Sequence, residues 1–300
     1  MILASGLLAA LAVLLAVPVP IALAGAQWPR RSPATALILW QSIALAGGLS
    51  MIGSLLVFGL SPFGHDLVGA LGGFLAGAGR PEPWHVLALC AALLLTLHLL
   101  LSLALTIVRS EQQRRRHAQL VSLLSSPVSA GTRLIDSPTP VAYCLPGPFR
   151  SITVFSAGLV TLLTEDELSA VIAHEEAHVS QRHDVVLIAF RAWHAALPWF
   201  PIAYRAQREV GLLIEMLADD RARRRVDVTT LARAIALVGS GSVGAPSADP
   251  AADNVAERVA RLELPPLSTA REALVVAGAA GLLGIPTALL FAPALLGLLG

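Results

Sequence analysis

Long uninterrupted apolar runs restrict what this chain can fold into more than any other feature. One extends from Ile2 to Ala26, a second from about Ala34 to Leu60, a third from about Trp84 to Val108, and a fourth from about Ala273 to Gly300. A helix crosses about 30 Å of hydrocarbon with roughly 20 apolar residues, so each run is expected to span a membrane. The first run could instead be a secretory signal peptide. It lacks a basic leading region, however, and further spans follow, so a retained helix is expected. With 55% hydrophobic and only 14% charged residues, the chain is too apolar for an ordinary soluble domain. All 21 of its basic residues are arginine. The net charge of +1 gives no electrostatic case for direct nucleic-acid binding. Cys90 and Cys144 form no metal motif and are expected to be packing residues.

Trp28, Arg30 and Arg31 follow the first run, while Arg109 and Arg114 to Arg116 follow the third. The positive-inside rule puts both clusters in the cytoplasm. The Gly- and Pro-rich stretch 61–83 between them holds only a short apolar piece, Leu67 to Ala78, expected to be interfacial or re-entrant. His98 is expected to be a buried, hydrogen-bonded handle for a neighbouring helix. Nearly all the remaining charge lies in residues 110–267. Within this block Val141 to Cys144 and Ile152 to Phe155 read as strands separated by Leu145 to Pro148. Val185 to Phe200 reads as a helix packed in the domain or on the membrane surface, Gly239 to Asp253 as a flexible loop, and Val255 to Leu262 as a short helix. The expected organisation is a mainly α membrane protein. It has three spans in residues 1–109, a cytoplasmic α+β domain over 110–267, and a fourth span in 268–300.

The chemistry concentrates at His174-Glu175-Glu176-Ala177-His178, an H-E-x-x-H run. Thr164 and Glu167 make a capping box, so a helix starting near Glu165 carries the motif, anchored by Leu168, Val171 and Ile172. Positions i and i+4 share a helix face, so His174 and His178 can present nitrogens to one zinc ion while Glu175 serves as general base. The third ligand is expected from a second helix, about Tyr204 to Arg225. There Glu215 and Asp219 lie on one face, with Glu215 among apolar neighbours where an unpaired carboxylate is costly. Asp219 is expected to orient a zinc-bound histidine. Gln181 and Asp184 occupy the places where a metzincin carries glycine and histidine, which argues against that class and leaves Asp184 a minor alternative ligand. His183 is expected to point away. The run Arg221 to Arg225 is expected to be a solvated helix end, with an oxyanion-stabilising arginine as the lesser alternative. The strand Ile152 to Ser156 is expected to pair with an extended substrate along its edge.

The stretches Ala142 to Gly147, Leu163 to Leu168, His174 to His178 and Glu215 to Asp219 resemble the BlaR/MecR-type membrane metallopeptidases. These are gluzincins more distantly similar to the HtpX and CAAX-prenyl-protease group. The resemblance covers roughly residues 140–225, and three spans before the motif block with one after it fit the BlaR/MecR layout. It implies zinc held by His174, His178 and Glu215, with Glu175 catalytic. It also implies a bacterial inner-membrane endopeptidase whose partner is a cytoplasmic winged-helix repressor. The acylated serine of that family's penicillin-binding sensor sits in S-x-x-K, and these 300 residues hold no lysine, so direct β-lactam sensing is not expected. The alternatives are a quality-control protease of the HtpX kind and a non-enzymatic, zinc-braced membrane scaffold or sensor.

Overall fold

A computed structural model describes residues 1–129, 132–145, 152–198, 200–241 and 255–299. The first apolar run forms α1 (Ile2–Ala16) and α2 (Pro18–Ala24), followed by a single turn, α3 (Trp28–Arg31). The second is α4 (Pro33–Leu60), with Pro33 at its first position, where a missing N–H is harmless. The apolar piece between runs becomes α5 (Leu67–Leu75), capped by the Asp66 side chain accepting from Val68 N and Gly69 N. Nine residues rise only about 14 Å, so α5 is too short to cross, as expected. Among the described residues four segments are long and apolar enough to span a bilayer: Ile2–Ala24, Pro33–Phe63, Pro83–Leu124 and Thr269–Phe291.

The third run is carried by helix α6 (Pro83–Leu124), 42 residues long in all, which continues past Val108 into the charged region as one helix. Charge ends an apolar run without ending a helix. Glu111 accepts from both Arg114 and Arg115 one turn on, and such pairs support a solvated helix. Hydrogen bonds from those two arginines hold the Glu111 carboxyl down at about 2.

A four-stranded sheet follows: β1 (Ser125–Ser129), β2 (Thr132–Ile135), β3 (Ala142–Leu145) and β4 (Ile152–Ser156). Its order is β1-β2-β4-β3, with β4 parallel to β2 and antiparallel to β3. Strand β4 therefore has a neighbour on each side and cannot add a substrate along its edge. The strand rich in β-branched and aromatic residues took the buried centre, with Val154 wholly enclosed. The free edge beside the histidine helix belongs to β3.

Beyond the sheet come α7 (Ala157–Leu162), α8 (Glu165–Ser180), α9 (His183–Ala196), α10 (Pro201–Ala222), α11 (Val228–Gly241), α12 (Val255–Leu262) and α13 (Thr269–Leu299). Helix α12 has the bounds expected from sequence. The loop expected over Gly239 to Asp253 falls mostly outside the described residues, as does most of Leu145 to Pro148. Helix α9 is not a surface helix. Phe190 is buried with Trp40 and Ile43 of α4 and Val210 and Leu213 of α10, so it packs among the long apolar helices. His98 on α6 does make an interhelical bond, to the Ala196 carbonyl at 3.0 Å, although its ring stays exposed rather than buried.

Three apolar clusters result among the described residues. One joins α4, α9 and α10; a second gathers Leu159, Val171, Ala173, Ala222 and Leu231 under the sheet; a small third brings together Leu8, Val57 and Leu290. Helix α10 contributes to the first two and ties them together.

Candidate metal centre

Helix α8 begins with the capping box foreseen in the sequence. Thr164 N donates to Glu167 Oε2 at 2.9 Å, and Glu167 N donates to Thr164 Oγ1 at 3.4 Å. Ala170, Ala173, His174 and Ala177 are buried in a stripe at helical spacing. The small alanines let neighbouring helices approach, which brings His174 and His178 up to α10. On α10, Val210, Leu213 and Ile214 are committed to the core with α4 and α9. That anchoring turns Glu215 and Asp219, one helical turn apart, toward α8.

The resulting cluster is tight. His174 Nε2 lies 3.2 Å from Glu215 Oε2, His178 Nε2 lies 3.3 Å from Glu215 Oε1, and the two Nε2 atoms are 3.2 Å apart. Zinc bound tetrahedrally to nitrogen and oxygen at about 2.0–2.2 Å holds its donor atoms roughly 3.4 Å from one another. The observed separations fit that ion without rearrangement. The donor types fit as well: two imidazoles and one carboxylate are a usual set for a catalytic zinc. Asp184, in the first turn of α9, is not part of the cluster. The direction of the His183 side chain lies outside what is described.

Asp219 sits behind His174. Its Oδ1 is 2.9 Å from His174 Nδ1, a hydrogen-bond distance without full hydrogen-bond alignment. Asp219 is completely buried and receives a two-pronged contact from Arg258 of α12, Nε to Oδ2 at 2.9 Å and Nη2 to Oδ1 at 2.7 Å. Arg258 Nη1 also lies 3.1 Å from Glu215 Oε2. The same short helix sends Arg261 to the Met216 carbonyl and the Asp220 carboxylate, and Glu257 to Arg30 beside the first two spans. Helix α12 thus clamps the carboxylate helix from behind. Arg258 was not among the arginines singled out from the sequence. The arginines that were considered do other work, Arg225 pairing with Glu176 and Arg223 with Asp220.

The electrostatics follow from this packing. Burial pushes the Glu175 carboxyl up to about 7, against the opposing pull of His174. A hydrogen bond from the Cys144 backbone sets Glu175 against edge strand β3. Burial also works against ionised Glu215, yet His174, His178 and Arg258 outweigh it and hold the carboxyl at about 2. Asp219 is likewise pulled well below the usual carboxylate range, despite burial, by His174 and Arg258. Both carboxylates are therefore held in the anionic form, the form in which Glu215 could ligate a metal ion.

Two histidines and a glutamate from two helices, with a further carboxylate at the motif and an aspartate behind, form a group that could hold one metal ion. Residues 108–209 match the sequence profile of peptidase family M48, a zinc metallopeptidase family. The matched stretch opens as the third apolar run ends and contains His174, Glu175 and His178, but stops short of Glu215; for that residue the geometry speaks alone. No curated protein and no solved structure matches the chain. Four long apolar helices together with the M48 match support a membrane metalloprotease.

Proposed function

We propose that the chain is an integral-membrane zinc endopeptidase of the gluzincin type, with His174, His178 and Glu215 as metal ligands and Glu175 as general base. The observation that carries this reading is the convergence of three donor atoms from α8 and α10, all within 4.8 Å of one another. Zinc supplies Lewis acidity that activates water and polarises a carbonyl. Glu175 takes a proton from the attacking water and passes it to the departing amine nitrogen. Asp219 keeps the His174 ring turned toward the ion, and Arg258 keeps Asp219 and Glu215 in place. The free edge of β3, against which Glu175 is set, is where an extended polypeptide would add as a further strand.

The finer assignment to the BlaR/MecR type rests on the layout of three spans before the motif block and one after. The positive-inside rule favours the cytoplasmic side for the site, and the BlaR/MecR assignment implies a bacterial inner membrane and a winged-helix repressor as substrate. An HtpX-like protease would instead degrade misfolded membrane proteins without selecting one repressor.

Glu175→Gln separates an enzyme from a zinc-braced scaffold. The detergent-purified variant should bind as much zinc as the wild type and lose roughly 10²–10⁴-fold in cleavage of labelled casein. Cleavage at the wild-type rate would defeat the proposed mechanism.

A further inference from the structure

Two cavities lie end to end along α2 and α10, sharing Ile202 in their linings. The first, about 430 Å³, is walled by Leu15, Trp40, Ile43, Phe190 and Trp193 and is almost wholly apolar. Gly48 leaves the space that the Trp193 ring occupies, since a Cβ there would lie 3.1 Å from it. The second, about 790 Å³, is lined by Tyr204, Arg205, Arg208, Glu209, Arg30 and Glu257, among others.

The order of the two cavities along the chain gives their depth. Ala12 to Pro20 line the apolar one, Ile21 to Gly25 reach the polar one, and Arg30 lies beyond, at the end of the first span. On α4, which starts at that same end, the apolar cavity is met at Trp40 and again at Met51. The apolar space is therefore inside the helical bundle at span depth, and the arginine-lined space is at its interfacial end.

We infer that these cavities form one phospholipid site, with an acyl chain lying beneath Trp40 and Trp193 and an anionic phosphodiester held by Arg205 and Arg208. Arg30 is engaged by Glu257, whereas among the described residues neither Arg205 nor Arg208 has a hydrogen bond or ion pair. The two stand one turn apart on one face of α10. Glu209 is the opposing charge nearby. Three guanidinium groups against two carboxylates leave one positive charge in the lining, the complement of a singly charged phosphodiester. Basic pockets between membrane helices on the cytoplasmic side are recurrent headgroup sites. Site and metal centre share α10, which runs unbroken from Arg205 to Glu215. The inference stands without the peptidase reading.

The test is competitive lipid retention by native mass spectrometry. The full-length protein, purified in mild detergent, is offered equal amounts of phosphatidylglycerol and phosphatidylcholine with matched acyl chains. The wild type should retain a single phosphatidylglycerol at least about tenfold over phosphatidylcholine. Arg205→Ala/Arg208→Ala should abolish that preference, and Arg205→Gln/Arg208→Gln provides the same test if the alanine pair misfolds. Ala44→Leu, which fills part of the apolar cavity, should lower retention of both lipids. Equal retention by the wild type, an undiminished preference in the arginine variants, or unchanged retention in Ala44→Leu would overturn the assignment.

Discussion

Removing the Arg258 guanidinium should cost this protein far more than its place in a helix of eight residues suggests. The Arg258 side chain is 12% exposed and Asp219 0% exposed, so their two-pronged contact is a buried ion pair. Deleting one member of such a pair strands the other charge and costs roughly 3–5 kcal/mol. In Arg258→Ala, Asp219 would still face His174 at 2.9 Å and Glu215 would still face both imidazoles. The lower end, about 3 kcal/mol, is therefore expected. For a folded unit of 150–250 residues that is a fall of roughly 6–12 °C in thermal midpoint. Far-UV circular dichroism of the protein in detergent reads it directly. Arg225→Ala is the matched control, because its pair with Glu176 has side chains 56% and 40% exposed and contributes less than about 1 kcal/mol. Combining Arg258→Ala with Asp219→Asn should cost less than the two single changes added, since the stranded charge is gone. If Arg258→Ala unfolds no earlier than Arg225→Ala, the clamp described here does not hold the site.

The capping box of α8 yields further expectations. Thr164→Ala should destabilise by about 1 kcal/mol and fray the first turn, which amide hydrogen exchange would register at Glu165 to Glu167. The Glu167 carboxyl is held below the usual carboxylate range, first by the Thr164 backbone N–H and further by Arg233. A depressed carboxyl stabilises the fold above its ordinary range and loses that contribution as pH falls through the lowered value. The protection of this turn should therefore weaken as the pH falls below the ordinary carboxylate range. Loss of protection already near neutrality would contradict the assignment.

Much of this arrangement was legible because it is coded locally. Apolar length gave the long helices, the Thr164–Glu167 spacing gave the start of α8, and helical periodicity placed His174 with His178 and Glu215 with Asp219. The two pairs meet only through the burial of Val210, Leu213 and Ile214, which fixes how α10 is turned. What escaped is coded by contacts distant in sequence or by weak patterns. Strand β1 is Ser-Ser-Pro-Val-Ser, without alternation and with a proline tolerated only at an edge. Strand β4 read as an edge because order along the chain does not reveal sheet order. Arg258 lies 39 residues from Asp219, with helix α11 and a stretch outside the described residues between them. One signal was present: Val255, Val259 and Leu262 form an apolar stripe, and Arg258 sits inside it. A charge in such a stripe must be buried with a partner, and carboxylates one turn apart on α10 were the partners to consider.

The central claim is that α8 and α10 together hold one zinc ion. Elemental analysis of the detergent-purified full-length chain, with X-ray absorption at the zinc edge, tests it most directly. The account predicts close to one zinc per chain bound by two imidazole nitrogens and a carboxylate oxygen, and loss of that zinc in Glu215→Ala. A wild type that takes up no zinc, or a Glu215→Ala variant that retains it in an unaltered environment, would contradict the account.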